Sequence, residues 1–129
     1  MNTVVVGAGT WGTAFARVLL ARGHEVTLAA RDAEQARAIA ETGRNPRYLP
    51  DVDLTGADAT TIRAAPFDAA DLVAVAVPSV AFADVVEQLG GTAPVLSLTK
   101  GLDPRSGERL STLVRRRPVA FLSGPNFAE

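Results

Sequence analysis

Thr3-Val4-Val5-Val6-Gly7-Ala8-Gly9-Thr10-Trp11-Gly12 is the stretch on which the reading of this chain turns. A short β-branched run meets three glycines in the spacing G-x-G-x-x-G. Beyond them Trp11, Ala14, Phe15, Val18 and Leu19 recur at the i, i+3, i+4, i+7, i+8 positions of one helical face. The order is therefore strand, glycine turn, helix. In that setting Gly7 permits the tight turn out of the strand, Gly9 lets a ligand approach the backbone, and Gly12 allows close packing of helix on sheet. The N–H groups of the first helical turn and the positive end of the macrodipole then face one point, which suits the pyrophosphate of a dinucleotide.

Outward from this stretch the alternation of strand and helix continues. Gly23-His24 stops the first helix, and Glu25 to Ala30 reads as a second strand lying parallel to the first after a right-handed crossover. Such units carry an acid about 20 residues past the glycines, where it bonds the adenosine ribose. Arg31-Asp32 fills that place. A guanidinium there can bind a 2′-phosphate or stack on adenine, which tilts the cofactor toward NADP without excluding NAD. Asp32, with Gln35 three residues on, has the pattern of a helix cap. A polar helix then runs from Ala33 to about Thr42 and ends at Gly43.

Asn45-Pro46-Arg47-Tyr48-Leu49-Pro50 is bracketed by prolines and reads as an ordered, mainly structural loop. A short strand is expected over Thr60 to Ala64. A nearly continuous apolar run from Asp71 to Val77 is of the kind buried on both faces of a parallel sheet. Ser79 is placed to cap a helix that turns Phe82, Val85, Val86 and Leu89 inward and closes at Gly90-Gly91. Pro94 to Leu98 gives another strand, with Thr99-Lys100-Gly101 at its carboxyl end. Leu110, Leu113 and Val114 suggest a helix over Ser106 to Arg116, whose Arg115-Arg116-Arg117 end is solvated. Val119 to Leu122 is the last strand and runs into Ser123-Gly124-Pro125-Asn126-Phe127-Ala128-Glu129. The expected architecture is α/β: a Rossmann-like, doubly wound, mainly parallel sheet with helices on both faces.

A chain of 129 residues with 47% apolar and 21% charged residues suits one globular domain, residues 1–129. Thirteen Lys and Arg against fourteen acids give a net charge of −1, with no basic field for nucleic acid. There is no cysteine, and the single histidine, His24, cannot hold a metal alone. No run approaches the roughly 20 apolar residues of a membrane span. The chain reads as cytoplasmic.

Five stretches in order, Gly7 to Ala14, Asn45 to Pro50, Val77-Pro78-Ser79, Thr99 to Leu102 and Ser123 to Glu129, together resemble the bacterial NAD(P)-dependent sn-glycerol-3-phosphate dehydrogenases. That family reduces dihydroxyacetone phosphate to sn-glycerol 3-phosphate for glycerophospholipid synthesis. The resemblance implies that Thr10, Trp11, Arg31 and Ala128 contact NADP or NAD, and that Lys100 lies near both nicotinamide and substrate. It also implies that Gly124 and Asn126 contact the substrate. Thr10 stands where many members have Ser, and Asn126 where many bacterial members have Ser or Thr. The family's general acid/base lysine belongs to a second, helical domain beyond residue 129. No catalytic residue is therefore assigned within this chain, which is expected to be the cofactor half of the enzyme with negligible turnover alone.

Two other readings compete. One is the cofactor half of a different dehydrogenase, of the 2-hydroxy acid or 6-phosphogluconate type, against which Asn45 to Pro50 and Lys100-Gly101 argue. The other is a non-catalytic NAD(P)-binding sensor module. An exposed edge where a further domain would pack also raises the expectation of a homodimer.

Overall fold

The computed structural model describes residues 1–99 and 101–122. Its centre is a six-stranded, all-parallel sheet formed by β1 (Asn2–Val6), β2 (Glu25–Ala30), β3 (Asp58–Thr61), β4 (Leu72–Val75), β5 (Val95–Ser97) and β6 (Val119–Phe121). The spatial order is β3-β2-β1-β4-β5-β6. Val5 pairs with Leu28 on one side and with Ala74 on the other, so β1 lies in the middle of the sheet. This is the doubly wound arrangement the sequence predicts.

Because successive side chains of a strand point to opposite faces, the Val4-Val5-Val6 run feeds two cores at once. Val4 and Val6 pack with Val73, Val75 and Val95 beneath α3 (Ser79–Glu87), through Phe82 and Val85. Val5 packs with Leu28 and Ala74 beneath α1 (Thr10–Ala21) and α2 (Ala33–Thr42), through Ala16, Leu19, Ala36 and Ile39. A sheet buried on both faces explains why its strands carry apolar runs rather than alternation.

Several elements match the sequence reading closely. α2 starts and stops at the predicted residues: Asp32 accepts the Gln35 N–H at 2.8 Å, and Gly43 closes the helix in the left-handed region at φ 70°. Five details differ. The buried stripe of α1 is Gly12, Thr13, Ala16 and Leu19, while Trp11 and Val18 are 46% and 55% exposed. β3 begins at Asp58 rather than Thr60. Ser79 is the first residue of α3, behind Pro78, and no side chain caps that end.

Only one 3₁₀ turn, Leu110–Leu113, stands where a helix over Ser106 to Arg116 is expected. There the Asp103 carboxylate accepts the Ser106 N–H and hydroxyl at 3.1 and 2.8 Å, and Gly107 turns at φ 73°. The Asp103 N–H also donates to the Glu108 carbonyl at 2.8 Å and Leu102 bridges Arg109 in antiparallel fashion, so the chain up to Arg109 is held in a hairpin-like turn and not in a helix. Leu110 is nevertheless buried, so the apolar pattern reported burial correctly and helical length incorrectly. Arg117 is not solvated either: its guanidinium donates to the carbonyls of Gly90 and Gly91 beyond the end of α3.

Candidate functional site

In this sheet the chain winds outward in opposite directions from β1 and β4. The crevice between their carboxyl ends is the topological switch point, where ligands of such folds lie. The glycine loop leaves β1 there, and Pro78 and Ser79 leave β4 beside it.

Each glycine of the loop has a distinct steric reason. Gly7 sits at φ 108°, its N–H donates to the Ala29 carbonyl at 2.9 Å, and a Cβ on it would lie 2.4 Å from the Ala76 carbonyl oxygen. At Gly12 a Cβ would fall 1.7 Å from the Gly7 carbonyl oxygen. The start of α1 is therefore pressed onto the loop it has just left, a closer approach than the helix-on-sheet packing predicted for Gly12. Gly9 is the opposite case: its φ of −88° suits any residue, and a Cβ there would meet nothing within 4 Å. The space above Gly9 at the start of a 12-residue helix is a cradle that a side chain would fill. Helix geometry turns the first N–H groups into that space, together with the positive end of the macrodipole. A dinucleotide pyrophosphate fits this donor set.

The loop is held from behind by a polar knot that the sequence reading did not find. Asn45, with no exposed surface, donates to the Ala8 carbonyl at 2.8 Å and to the Thr13 hydroxyl at 2.9 Å. Gln35 of α2 donates to the same Ala8 carbonyl at 2.8 Å, and the Asn45 side-chain oxygen accepts the Arg47 N–H at 3.2 Å. The proline-bracketed loop is thus structural, as expected, and the structure it serves is the glycine loop. An asparagine before a proline was the only signal in the sequence, because the partners lie 32 and 37 residues away.

Arg31 is exposed immediately past the carboxyl end of β2. Next to it, Asp32 forms an ion pair with Arg47 at 2.8 Å. The Arg47 guanidinium, then the Gln35 N–H, hold the Asp32 carboxyl below its ordinary pKa. At the end of β5, Thr99 accepts the Val77 N–H at 3.2 Å and donates to the Val77 carbonyl at 2.6 Å, which ties the ends of β4 and β5 together. Thr10 and Trp11 open α1 at the cradle, both exposed. Lys100, Gly124, Asn126 and Ala128 lie outside the described residues. Among the described residues no cluster of His, Cys, Asp or Glu could hold a metal. A separate cavity of about 230 Å³ opens at the other end of the sheet, among Asn2, Glu25, Thr27 and Asp58 at the strands' amino ends.

The family profile described as NAD-dependent glycerol-3-phosphate dehydrogenase N-terminus matches residues 2–129. The chain belongs to this family. It is 42% identical over 145 residues to a glycerol-3-phosphate dehydrogenase (NAD(P)+) of Nocardia farcinica, covering 98% of this chain and 42% of that protein. The protein of the same description from Mesorhizobium japonicum is 39% identical over 136 residues, covering 98% and 39%. The crystal structure of glycerol-3-phosphate dehydrogenase from Coxiella burnetii superposes with a TM-score of 0.80 at 28% identity, over 93% of this chain and 39% of that one. The chain thus spans about two fifths of the length of the relatives it matches. Membership in this family sets aside the 2-hydroxy acid and 6-phosphogluconate types. Among the described residues no helix is long and apolar enough to cross a membrane.

Proposed function

We propose that this chain binds NADP or NAD across the β1/β4 crevice and is the cofactor half of an oxidoreductase interconverting dihydroxyacetone phosphate and sn-glycerol 3-phosphate. The observation that carries the reading is the contrast among the three glycines: Gly7 and Gly12 have no room for a Cβ, while Gly9 opens onto empty space at the helix start. Gly9, Thr10 and Trp11 bind the pyrophosphate side, and Arg31 takes the adenosine end. Lys100 lies between nicotinamide and substrate, where an ammonium group can donate to a ketone oxygen or a phosphate. Gly124 and Asn126 face the substrate, and Ala128 the cofactor. When bound, the reduced nicotinamide supplies the hydride. The chain's own residues orient it, and the proton for the developing alkoxide comes from a lysine in a second, helical domain. The reaction feeds glycerophospholipid synthesis in the cytoplasm, and the working enzyme is a homodimer.

Support comes from the family and from the fit of the glycine loop to a pyrophosphate. The test is calorimetric titration of the chain with NADPH and NADH, for the wild type and Arg31→Ala. Saturable binding that weakens in the variant is expected. A folded chain that binds neither dinucleotide refutes the proposal. Vigorous NADPH oxidation driven by dihydroxyacetone phosphate with this chain alone refutes its assignment as half a catalyst.

A further inference from the structure

Asp32 stands where doubly wound sheets place the acid that accepts a hydrogen bond from the adenosine ribose. In this structure both of its oxygens are engaged. Oδ1 accepts the Gln35 N–H at 2.8 Å, and Oδ2 accepts from the Arg47 guanidinium at 2.8 Å, with the second Arg47 nitrogen 3.5 Å from Oδ1. The cap consumes one lone-pair direction and the ion pair neutralises the charge. Arg47 reaches this point because Asn45, two residues earlier, is anchored on the glycine loop. Arg31 adjoins the pair, and Glu34 lies 3.9 Å from Arg47 with its side chain almost fully in solvent. At the ribose end the site therefore offers two guanidiniums against two carboxylates, of which Asp32 is paired and Glu34 extends into solvent. A 2′-hydroxyl meets a carboxylate that already accepts from Gln35 and Arg47 and whose charge is paired. A 2′-phosphate finds fork-shaped donors suited to its oxygens.

We infer that Arg47, held against Asp32, is a specificity-determining residue that turns the adenosine end of this site toward a 2′-phosphate, so that the chain prefers NADP(H) to NAD(H). The inference rests on the proposed dinucleotide site and adds to it a second cation that family resemblance did not supply. Arg47 acts in two ways: it donates to the phosphate, and it suppresses the carboxylate that would otherwise repel that phosphate and hold a ribose diol. Removing the guanidinium leaves the Asp32 carboxylate held only by the Gln35 N–H, so NADPH binding weakens while NADH binding holds or improves.

The experiment is titration of the 129-residue chain with NADPH and NADH, followed by nicotinamide fluorescence, for the wild type, Arg47→Gln and Arg47→Lys. The wild type is expected to bind NADPH at least about tenfold more tightly, the scale of one charge-assisted contact. Arg47→Gln loses about tenfold for NADPH and holds or improves NADH. Arg47→Lys recovers part of the preference. Equal loss for both dinucleotides overturns the inference, since Arg47 would then only brace its loop. A measurement needing no variant is displacement of bound NADPH from the wild type by adenosine 2′,5′-bisphosphate and by 5′-ADP. The 2′-phosphorylated competitor is expected to act at markedly lower concentration, and equal potency overturns the inference. Binding of neither dinucleotide by the folded wild type overturns the proposed site itself, and the inference with it.

Discussion

Asn45→Asp changes one NH2 group to an oxygen at constant shape, and the structure fixes what that should do. Asn45 is fully buried; its Nδ2 donates to the Ala8 carbonyl and the Thr13 hydroxyl, and its Oδ1 accepts the Arg47 N–H. When the new carboxyl is protonated it can still donate to Ala8. When ionised, its second oxygen faces the Ala8 carbonyl oxygen and can draw only the Thr13 hydroxyl toward it, while the first keeps the Arg47 N–H and lies 3.4 Å from the Gln35 amide nitrogen. The charged form is disfavoured in the folded state by burial and by the facing carbonyl, so the folded pKa rises above the unfolded value of about 3.9.

A raised acid pKa means that the folded state holds its proton longer. The variant is therefore nearest to wild type below about pH 4 and weakens as pH rises toward the folded pKa. A rise of about 3 units corresponds to about 4 kcal/mol at pH 7, and a lost hydrogen bond adds about 1 kcal/mol at every pH. That sum is comparable with the whole stability of a marginal domain, about 5–15 kcal/mol. Urea unfolding of both proteins from pH 4.5 to 7.5 gives the variant-minus-wild-type difference, in which the acid response of the other carboxyls cancels. Asn45→Ala is the control, with a loss of about 3 kcal/mol that does not vary with pH. A gap for Asn45→Asp that stays constant across this range, or its absence at pH 7, refutes the buried knot.

Two further predictions follow from the loop and the carboxylates. Gly9→Ala should unfold within about 0.5 kcal/mol of wild type yet lose at least about tenfold in NADPH affinity, because its Cβ enters the cradle without touching protein. Gly12→Ala should lose both affinity and about 1–3 kcal/mol, since its Cβ collides with the Gly7 carbonyl; paired calorimetric titrations and urea melts separate the two. Acid should also destabilise the fold in a defined window. Asp32 is held low by Arg47, Asp53 by the Thr55 hydroxyl and Asp103 by the Ser106 hydroxyl. Folded pKa values below the unfolded ones mean stability that is complete above about pH 4 and declines as pH falls through the folded values. The urea midpoint should be flat from pH 7 to 5 and drop below 4. Asp32→Asn, which still caps α2 but cannot titrate, should make that drop shallower.

What the sequence made legible was local. The Val4-Val5-Val6 run, the glycine spacing and the Asp32–Gln35 cap each depend on neighbours within a few residues, and strands, turn and helix all appear where those signals put them. The face of α1 was misread for a physical reason. Apolar periodicity weighs bulk, and the bulky Trp11 and Val18 point outward, whereas the helix meets its neighbours through Gly12, Thr13 and Ala16. A helix that begins by pressing on the preceding loop must present small residues there, so the glycine that marks the motif also moves the buried stripe. The crossover before β6 differs for another reason: Leu110, Leu113 and Val114 have helical spacing, but the Asp103–Ser106 turn and the Leu102–Arg109 bridge hold the chain out of helix up to Arg109.

Asp32 shows most clearly where local reading stops. By position it is the acid that holds an adenosine ribose, and by pattern it is a cap, and the two roles make opposite claims on one carboxylate. The sequence around it favours the cap without deciding the charge that remains. Arg47 decides it from another loop, and Arg47 is there because Asn45 is tied to Ala8. The glycine loop, the proline-bracketed loop and the end of β2 are thus one hydrogen-bonded unit. The residue that shapes the phosphate cradle and the residue that sets charge at the ribose are coupled through a buried amide, and loosening Asn45 should disturb both ends of the site together.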